Sequence, residues 1–269
     1  MAKSTKAKRD DVAALVGRSE QVIIQVLGDK PAFLAQHIGP ARGLEQLEQS
    51  DLTLPRLSLC QSGSPQRKKQ NAKYISGLEE GEFFNSITNE RYGVESLFVP
   101  LFSYKARIKF IAFEEGGGID CQSFNSKTGG RHSPKSCTEC VFSQFVDEKK
   151  PECDLIYNYP GIVISSKAGR DLAVLSLKST AIKVAKQFNS LMSLRDGADA
   201  FAGVYRLTAA GASAKGNDYQ AVQIANAGWT DERTFMFAEA TYNNLRGKKI
   251  EVDDQEGGRR SRDPGEDDI

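Results

Sequence analysis

Four cysteines between positions 121 and 153 constrain this chain more than any other feature. Cys137-Thr-Glu-Cys140 is a Cys-x-x-Cys knuckle, the tight turn in which two thiolates point at one tetrahedral metal. Fifteen residues separate Cys121 from Cys137 and twelve separate Cys140 from Cys153, so four sulfurs can close one structural zinc site. The intervening Gly116 to Gly118 and Ser123 to Ser136 are too polar to build a core of their own, and a metal would have to hold them. A disulfide pair needs an oxidising compartment, and nothing in the sequence resembles a secretory signal. A redox knuckle needs a thioredoxin-like βαβ setting, which is missing around Cys137. His132 is an alternative to Cys121 as fourth ligand, whereas Cys60 reads as an ordinary small apolar residue.

On the N-terminal side of the cysteines, Phe98 to Phe110 reads as one period-two strand. Phe98, Pro100, Phe102, Tyr104, Ala106, Ile108 and Phe110 fall on one face; Val99, Leu101, Ser103, Lys105, Arg107 and Lys109 fall on the other. The second face ends in three cations about 7 Å apart, close to a phosphate repeat. A half-exposed strand with solvated lysines is the plain alternative, yet no acid interrupts the three. Arg67, Lys68 and Lys69 beside Lys73 and Tyr74 likewise offer cations next to an aromatic face. After the cysteines, Leu155 to Ile164 forms a strand expected to bend at Pro160-Gly161. Tyr157 and Tyr159 share one of its faces, as stacking platforms for bases or as buried tyrosines. Tyr104 and Trp229 complete the stacking candidates.

The remaining elements follow from local pattern. Val12 to Leu27 and Phe33 to Gln49 suggest short helices, Leu54 to Cys60 a strand, and Glu82 to Ile87 a strand closed by a turn at Thr88 to Glu90. Leu172 to Leu177 is a buried strand. Ser179 or Thr180 caps a helix whose apolar face is Ile182, Ala185, Phe188, Leu191 and Met192, with Lys183, Lys186 and Arg195 on the surface. Ala202 to Leu207 and Tyr219 to Ile224 are strands joined by a flexible loop over Thr208 to Asp218. Asp231 to Arg246 is a last helix, and disorder is expected beyond Gly247.

Strands, then a long helix, then two strands match the plan of an OB-fold, in which the helix plugs one end of a barrel. The expected fold is mostly β (α+β): an OB-fold-like barrel with a zinc-bearing insertion at about 114–154, flanking helices and disordered termini. Residues 1–11 form a disordered basic arm, 12–250 the domain and 251–269 a disordered acidic tail. Those last nineteen residues carry eight acids against three arginines, a net of −5 within a chain of formal net charge +1, leaving +6 on residues 1–250. A basic body with an acidic end suits a nucleic-acid binder whose tail imitates phosphate and competes for the groove. A solubilising tail is the alternative. At 39% apolar the chain can bury a core, and no apolar run is long enough to span a membrane, so a cytoplasmic protein is expected.

The Lys105-Ala-Arg-Ile-Lys109 strand, the Cys121 to Cys153 cluster, Leu175-Ser-Leu-Lys-Ser-Thr180 and Gly265-Glu-Asp-Asp-Ile269 together resemble a bacteriophage-type single-stranded DNA-binding protein. The resemblance covers about two thirds of the chain by pattern. It departs from the phage helix-destabilising proteins in using four cysteines, where a histidine often serves. It implies non-specific coating of single-stranded DNA in replication or recombination, a structural zinc, and contact with replication or recombination proteins through the acidic tail. The tip lacks the Pro-Phe pair with which the bacterial single-strand binder docks partners.

No enzyme signature accompanies these features. There is no phosphate loop, no His-Glu-x-x-His, and neither His37 nor His132 stands beside a nucleophile motif. The expectation is therefore a protein that catalyses no reaction. Competing readings are a zinc-ribbon nucleic-acid-binding regulator or virion interaction protein and, below them, a carboxylate-based metal nuclease.

Overall fold

A computed structural model describes residues 53–253, apart from 113–114, 147–149, 166–168 and 215. The basic arm, the two N-terminal helices and most of the acidic tail therefore lie outside the described residues.

Among the described residues the protein is mostly β with two α-helices. Its main sheet is built on β5 (Glu95–Pro100), β6 (Tyr104–Phe110), β7 (Ile119–Ser123), β8 (Cys153–Ser165), β9 (Gly169–Lys178), β10 (Gly203–Ala214) and β11 (Asn217–Trp229). The order is β11-β10-β5-β8-β6-β7, with β9 on the other side of β8. Every pairing within it is antiparallel. A smaller sheet joins β2 (Leu57–Leu59), β3 (Phe83–Asn85) and β4 (Arg91–Gly93), and β1 (Thr53–Leu54) lies parallel to β12 (Glu251–Val252). The chain beyond Gly247, expected to lack structure, thus continues as far as a strand.

The barrel expected from the element order does not close: among the described residues the main sheet remains open. The reason lies in β8, whose one side is shared end to end by two strands. Gly161 to Ile164 pair with β5, Cys153 to Asn158 pair with β6, and β9 follows the opposite side. The single strand expected over Phe98 to Phe110 is accordingly broken at Leu101 to Ser103. Pro160 sits opposite that break. Its carbonyl accepts from the Leu101 N–H (2.8 Å), so its missing N–H faces the same gap, where no ladder bond is lost. The bend expected at Pro160-Gly161 does not develop, and β8 runs through both residues.

Both faces of the sheet are covered, which explains why β5 carries no polar alternation. Phe98 packs into a cluster with Tyr159, Leu175, Phe188 and Tyr205 beneath α1 (Ile182–Ser193). Leu97, Val99 and Leu101 face the other way, into a cluster with Ile162, Phe201 and Ala238 beneath α2 (Glu232–Leu245). Gly161 leaves room for the Phe98 ring against β8, since a Cβ there would run into that ring and sit 2.7 Å from the Val99 carbonyl oxygen.

α1 buries the face read from its spacing, centred on Ala185 and Phe188. It is entered through a 3-10 turn at Ser179 to Ala181, and neither Ser179 nor Thr180 caps it with a side-chain bond. The segment expected as a flexible loop over Thr208 to Asp218 is instead a long hairpin, with Ala214 paired to Asn217. No helix among the described residues is long and apolar enough to cross a membrane.

Candidate functional site

The break between β5 and β6 opens a cleft of about 790 Å³. Phe102, Tyr104 and Lys105 come from the break and β6; Gln122 to Asn125 and Lys127 to Gly129 from β7 and the turn after it; Gly247 to Ile250 from the segment following α2. Lys105, Lys127, Lys248 and Lys249 are exposed along its rim, and among the described residues no carboxylate lines it. Among the described residues Lys105, Lys127 and Lys248 have no ion-pair partner, whereas Lys249 pairs with Glu251 (3.0 Å). Three half-buried rings, Phe102, Tyr104 and Phe124, stand among these cations, and the Lys249 ammonium lies 4.1 Å from the Phe124 centroid. Cations on a rim above aromatic faces can neutralise phosphates while bases stack.

The expected stripe of three cations on β6 is divided. Lys105 reaches the cleft, with its ammonium 4.9 Å above the Tyr157 ring. Lys109 instead bonds Asp120 (2.7 Å), lies 3.5 Å from Glu152 and covers the Phe142 ring. The Asp120 carboxylate raises the Lys109 pKa. Bonds from Lys109 and then His132 hold the Asp120 carboxyl down at about 2. Arg107 is turned toward the cysteines and donates to the Cys153 carbonyl (3.5 Å).

Other expected contacts are elsewhere or buried. Tyr159 is fully buried and donates to the Ala185 carbonyl and Asn189 Oδ1, and its burial raises the phenol pKa. Tyr157 is also buried in the α1 cluster, so neither ring stands open for a base. Arg67, Lys68, Lys69, Lys73 and Tyr74 are not brought to the cleft. Their loop docks against β11, where Gln61 exchanges hydrogen bonds with the Gln220 backbone (3.0 and 2.8 Å). That contact lies past the Glu95 end of β5, roughly 17 Å of strand from the end that opens the cleft. Arg67 is committed to Glu80 and the Ser62 carbonyl. Trp229 is 60% exposed but lies outside the cleft, its ring 4.6 Å from the Arg195 guanidinium.

Arg195, expected on the surface, is buried. It fills the space left by Gly203, stacks on Tyr205 and donates to the Gly228 carbonyl and Asn226 Oδ1. Sequence reading missed Lys127, Lys248 and Lys249 because each comes from a segment with no periodic pattern. The only local hint was their Gly-rich surroundings.

Beside the cleft, Cys121, Cys137, Cys140 and Cys153 line one cavity of about 10 Å³, together with Arg107 and Gly130. All are free thiols. His132 bonds Asp120 (2.8 Å) and is not part of the wall; Cys60 is buried with Ile75, Leu78 and Phe84, as an apolar residue should be. Burial pushes the Cys153 thiol up to about 11, partly opposed by Arg107. The sulfurs surround the cavity without a formed metal arrangement: among the described residues no three His, Cys, Asp or Glu side chains are set as one.

An open, mostly-β sheet with a basic aromatic cleft next to a four-thiol cavity defines the class of protein. Residues 20–251 match the Pam3 phage gp34-like protein family, and the chain belongs to that family. No curated protein and no solved structure matches the chain.

Proposed function

We propose that this phage-type protein binds single-stranded DNA without sequence preference, in replication or recombination. The cleft is the observation that carries this reading: four lysines and three aromatic rings, with no acid among the described residues, along one open channel. Phosphate neutralisation by Lys105, Lys127, Lys248 and Lys249 would supply affinity, and Phe102, Tyr104 and Phe124 would stack bases of any identity. Its size favours a single strand, whose unpaired bases reach ring faces that a duplex keeps stacked. In this reading the open sheet plays the part of an OB-like platform. It places the protein in the cytoplasm with DNA, and no reaction is catalysed. The acidic tail would compete for the lysines and be released to partner proteins when DNA binds.

The test is the affinity of the full-length protein for single-stranded, duplex and RNA oligomers of one sequence, repeated across salt. Single strands are expected to bind best, with affinity falling steeply as salt rises. Replacing Lys105, Lys127 and Lys248 by Gln should reduce the salt slope by about 2, at about 0.7 per lost contact on single strands. Truncation after Asp253 should tighten binding several-fold at low salt and less at high salt. An equal or stronger preference for duplex would overturn the reading in favour of a zinc-ribbon regulator.

A further inference from the structure

We propose that Cys121, Cys137, Cys140 and Cys153 hold a zinc ion whose counter-charge is the half-buried Arg107, and that this ion fixes one wall of the cleft. Four observations converge on the cavity. Its volume, about 10 Å³, admits a single atom-sized occupant. Gly130 brings the wall close to the sulfurs: a Cβ there would stand 3.1 Å from Cys137 Sγ and 3.3 Å from Cys121 Sγ, so the thiols would have to give by a few tenths of an ångström. The Arg131 N–H donates to Cys121 Sγ (3.0 Å), the bond that a thiolate ligand receives from backbone. Ser143 donates to the carbonyls of both knuckle cysteines (2.5 and 2.8 Å), fixing the turn that presents them.

Arg107 supplies the charge argument. Its Nε is buried and has no hydrogen-bond partner among the described residues, and the side chain lines the thiol cavity. A half-buried guanidinium that among the described residues bonds only the Cys153 carbonyl gains little from four thiols. Binding of Zn²⁺ releases four thiol protons to solvent and leaves four thiolates on a divalent ion, a site of net charge −2. Arg107 then faces the anion that its position lacks. Thiolates bond zinc at about 2.3 Å, so metal entry draws the sulfurs inward from the walls they now form. The same backbone serves the cleft. Cys121 is followed directly by Gln122 to Asn125, and Gly130 is preceded by Gly129, all of them cleft residues. The effect on DNA rests on the nucleic-acid reading above; the metal site itself does not.

Full-length protein, purified without chelator, should contain about one zinc per chain by elemental analysis. Cobalt substitution should give the sulfur-to-metal absorption of a tetrahedral thiolate site. Cys60→Ser should retain the metal and Cys153→Ser should lose it. Arg107→Gln should weaken metal affinity 10–100-fold against a competing chelator, the usual loss when an outer-shell partner is removed. Lys105→Gln should leave it unchanged. Natively folded wild type that takes up neither zinc nor cobalt overturns the site, even if the cysteine variants fail to fold. Arg107→Gln with unaltered metal affinity overturns the counter-charge. Removing zinc should also lower single-strand affinity. A metal-loaded protein that binds no single strand would instead sink the nucleic-acid reading and leave the metal site standing.

Discussion

The sheet and the cysteine lobe are joined by two strands, yet they are held together by different physics. Around β5 the chain is covered on both faces, and Phe98, Tyr159, Phe188, Tyr205 and Leu207 are completely buried. In the lobe from 111 to 152, the sole buried apolar side chain among the described residues is Cys137, while Ile119, Val141, Phe145 and Val146 are exposed. What orders the lobe is polar. Asn125 Oδ1 accepts from the Lys127 and Thr128 amides, Ser123 donates to Thr128 and Asn125, and Ser143 ties the knuckle. Such bonds are worth about 1 kcal/mol each and must be set against backbone entropy of about 1–2 kcal/mol per ordered residue. A sheet can be stable on burial alone. The lobe has no such burial to rest on.

The sharpest way to break the comparison is at the sheet's centre. Phe188 lies 4.8 Å from Tyr159 and 4.9 Å from Tyr205 between ring centroids, with no exposed surface. Phe188→Ala should cost about 3–5 kcal/mol. Denaturant unfolding should leave no protection in the lobe once the sheet has unfolded, because β6 and β8 frame the lobe. A lobe that stays protected after the sheet unfolds would refute the dependence.

Two smaller changes have similar local cost but different reach. Asp231 caps α2, accepting from the Thr234 amide (2.9 Å) and hydroxyl (2.7 Å). Burial pushes its carboxyl up, but those bonds and Arg170 prevail and hold it below the ordinary value. A carboxyl lowered on folding stabilises fully above its unfolded pKa and loses that contribution as pH falls through its folded one. Asp231→Ala should therefore lower global stability by about 1 kcal/mol at pH 7, with the deficit fading in strong acid. Asp231→Asn should restore the cap without the pH dependence. Ser143→Ala also removes about 1 kcal/mol of bonding, but inside the lobe. Hydrogen exchange should quicken from 131 to 146 while the sheet's denaturation midpoint stays put; a shifted midpoint would mean that the regions are more tightly coupled than their packing implies.

Legibility follows the same division. Alternation on β6 was readable because one face, Ala106 and Ile108, is buried and the other is not. On β5 both faces are buried, so the run Leu97 to Leu101 carried no sign of where the strand would break. The outer part of the β10–β11 hairpin escaped because Ala209 to Ala214 lacks the branched and aromatic residues that mark strands. The knuckle and its two further cysteines could be read because metal-type spacing is local. The cleft could not. Lys105, Lys127 and Lys248 come together only through β6–β7 pairing and the return of the chain after α2. Arg195 was illegible for a related reason: the room it occupies is made by Gly203, a residue on another strand.

The smallest expected effect gives the comparison its cleanest control, because it uses the same residue type as the largest. Phe145 follows the knuckle in the lobe with 74% of its surface exposed, against none for Phe188. Its ring has little apolar burial to lose, and at about 25 cal/mol per Å² only buried area stabilises. Phe145→Ser should therefore change unfolding free energy by less than about 0.5 kcal/mol, the range of a surface substitution away from any structural feature. Metal content should be unchanged, since Phe145 does not line the thiol cavity. Measured beside Phe188→Ala, the pair asks whether the lobe contributes any burial energy at all. A loss of 2 kcal/mol or more from Phe145→Ser, well beyond that surface range, would show that a surface outside the described residues covers the ring. The lobe would then be a second core rather than a polar loop gathered by its thiols.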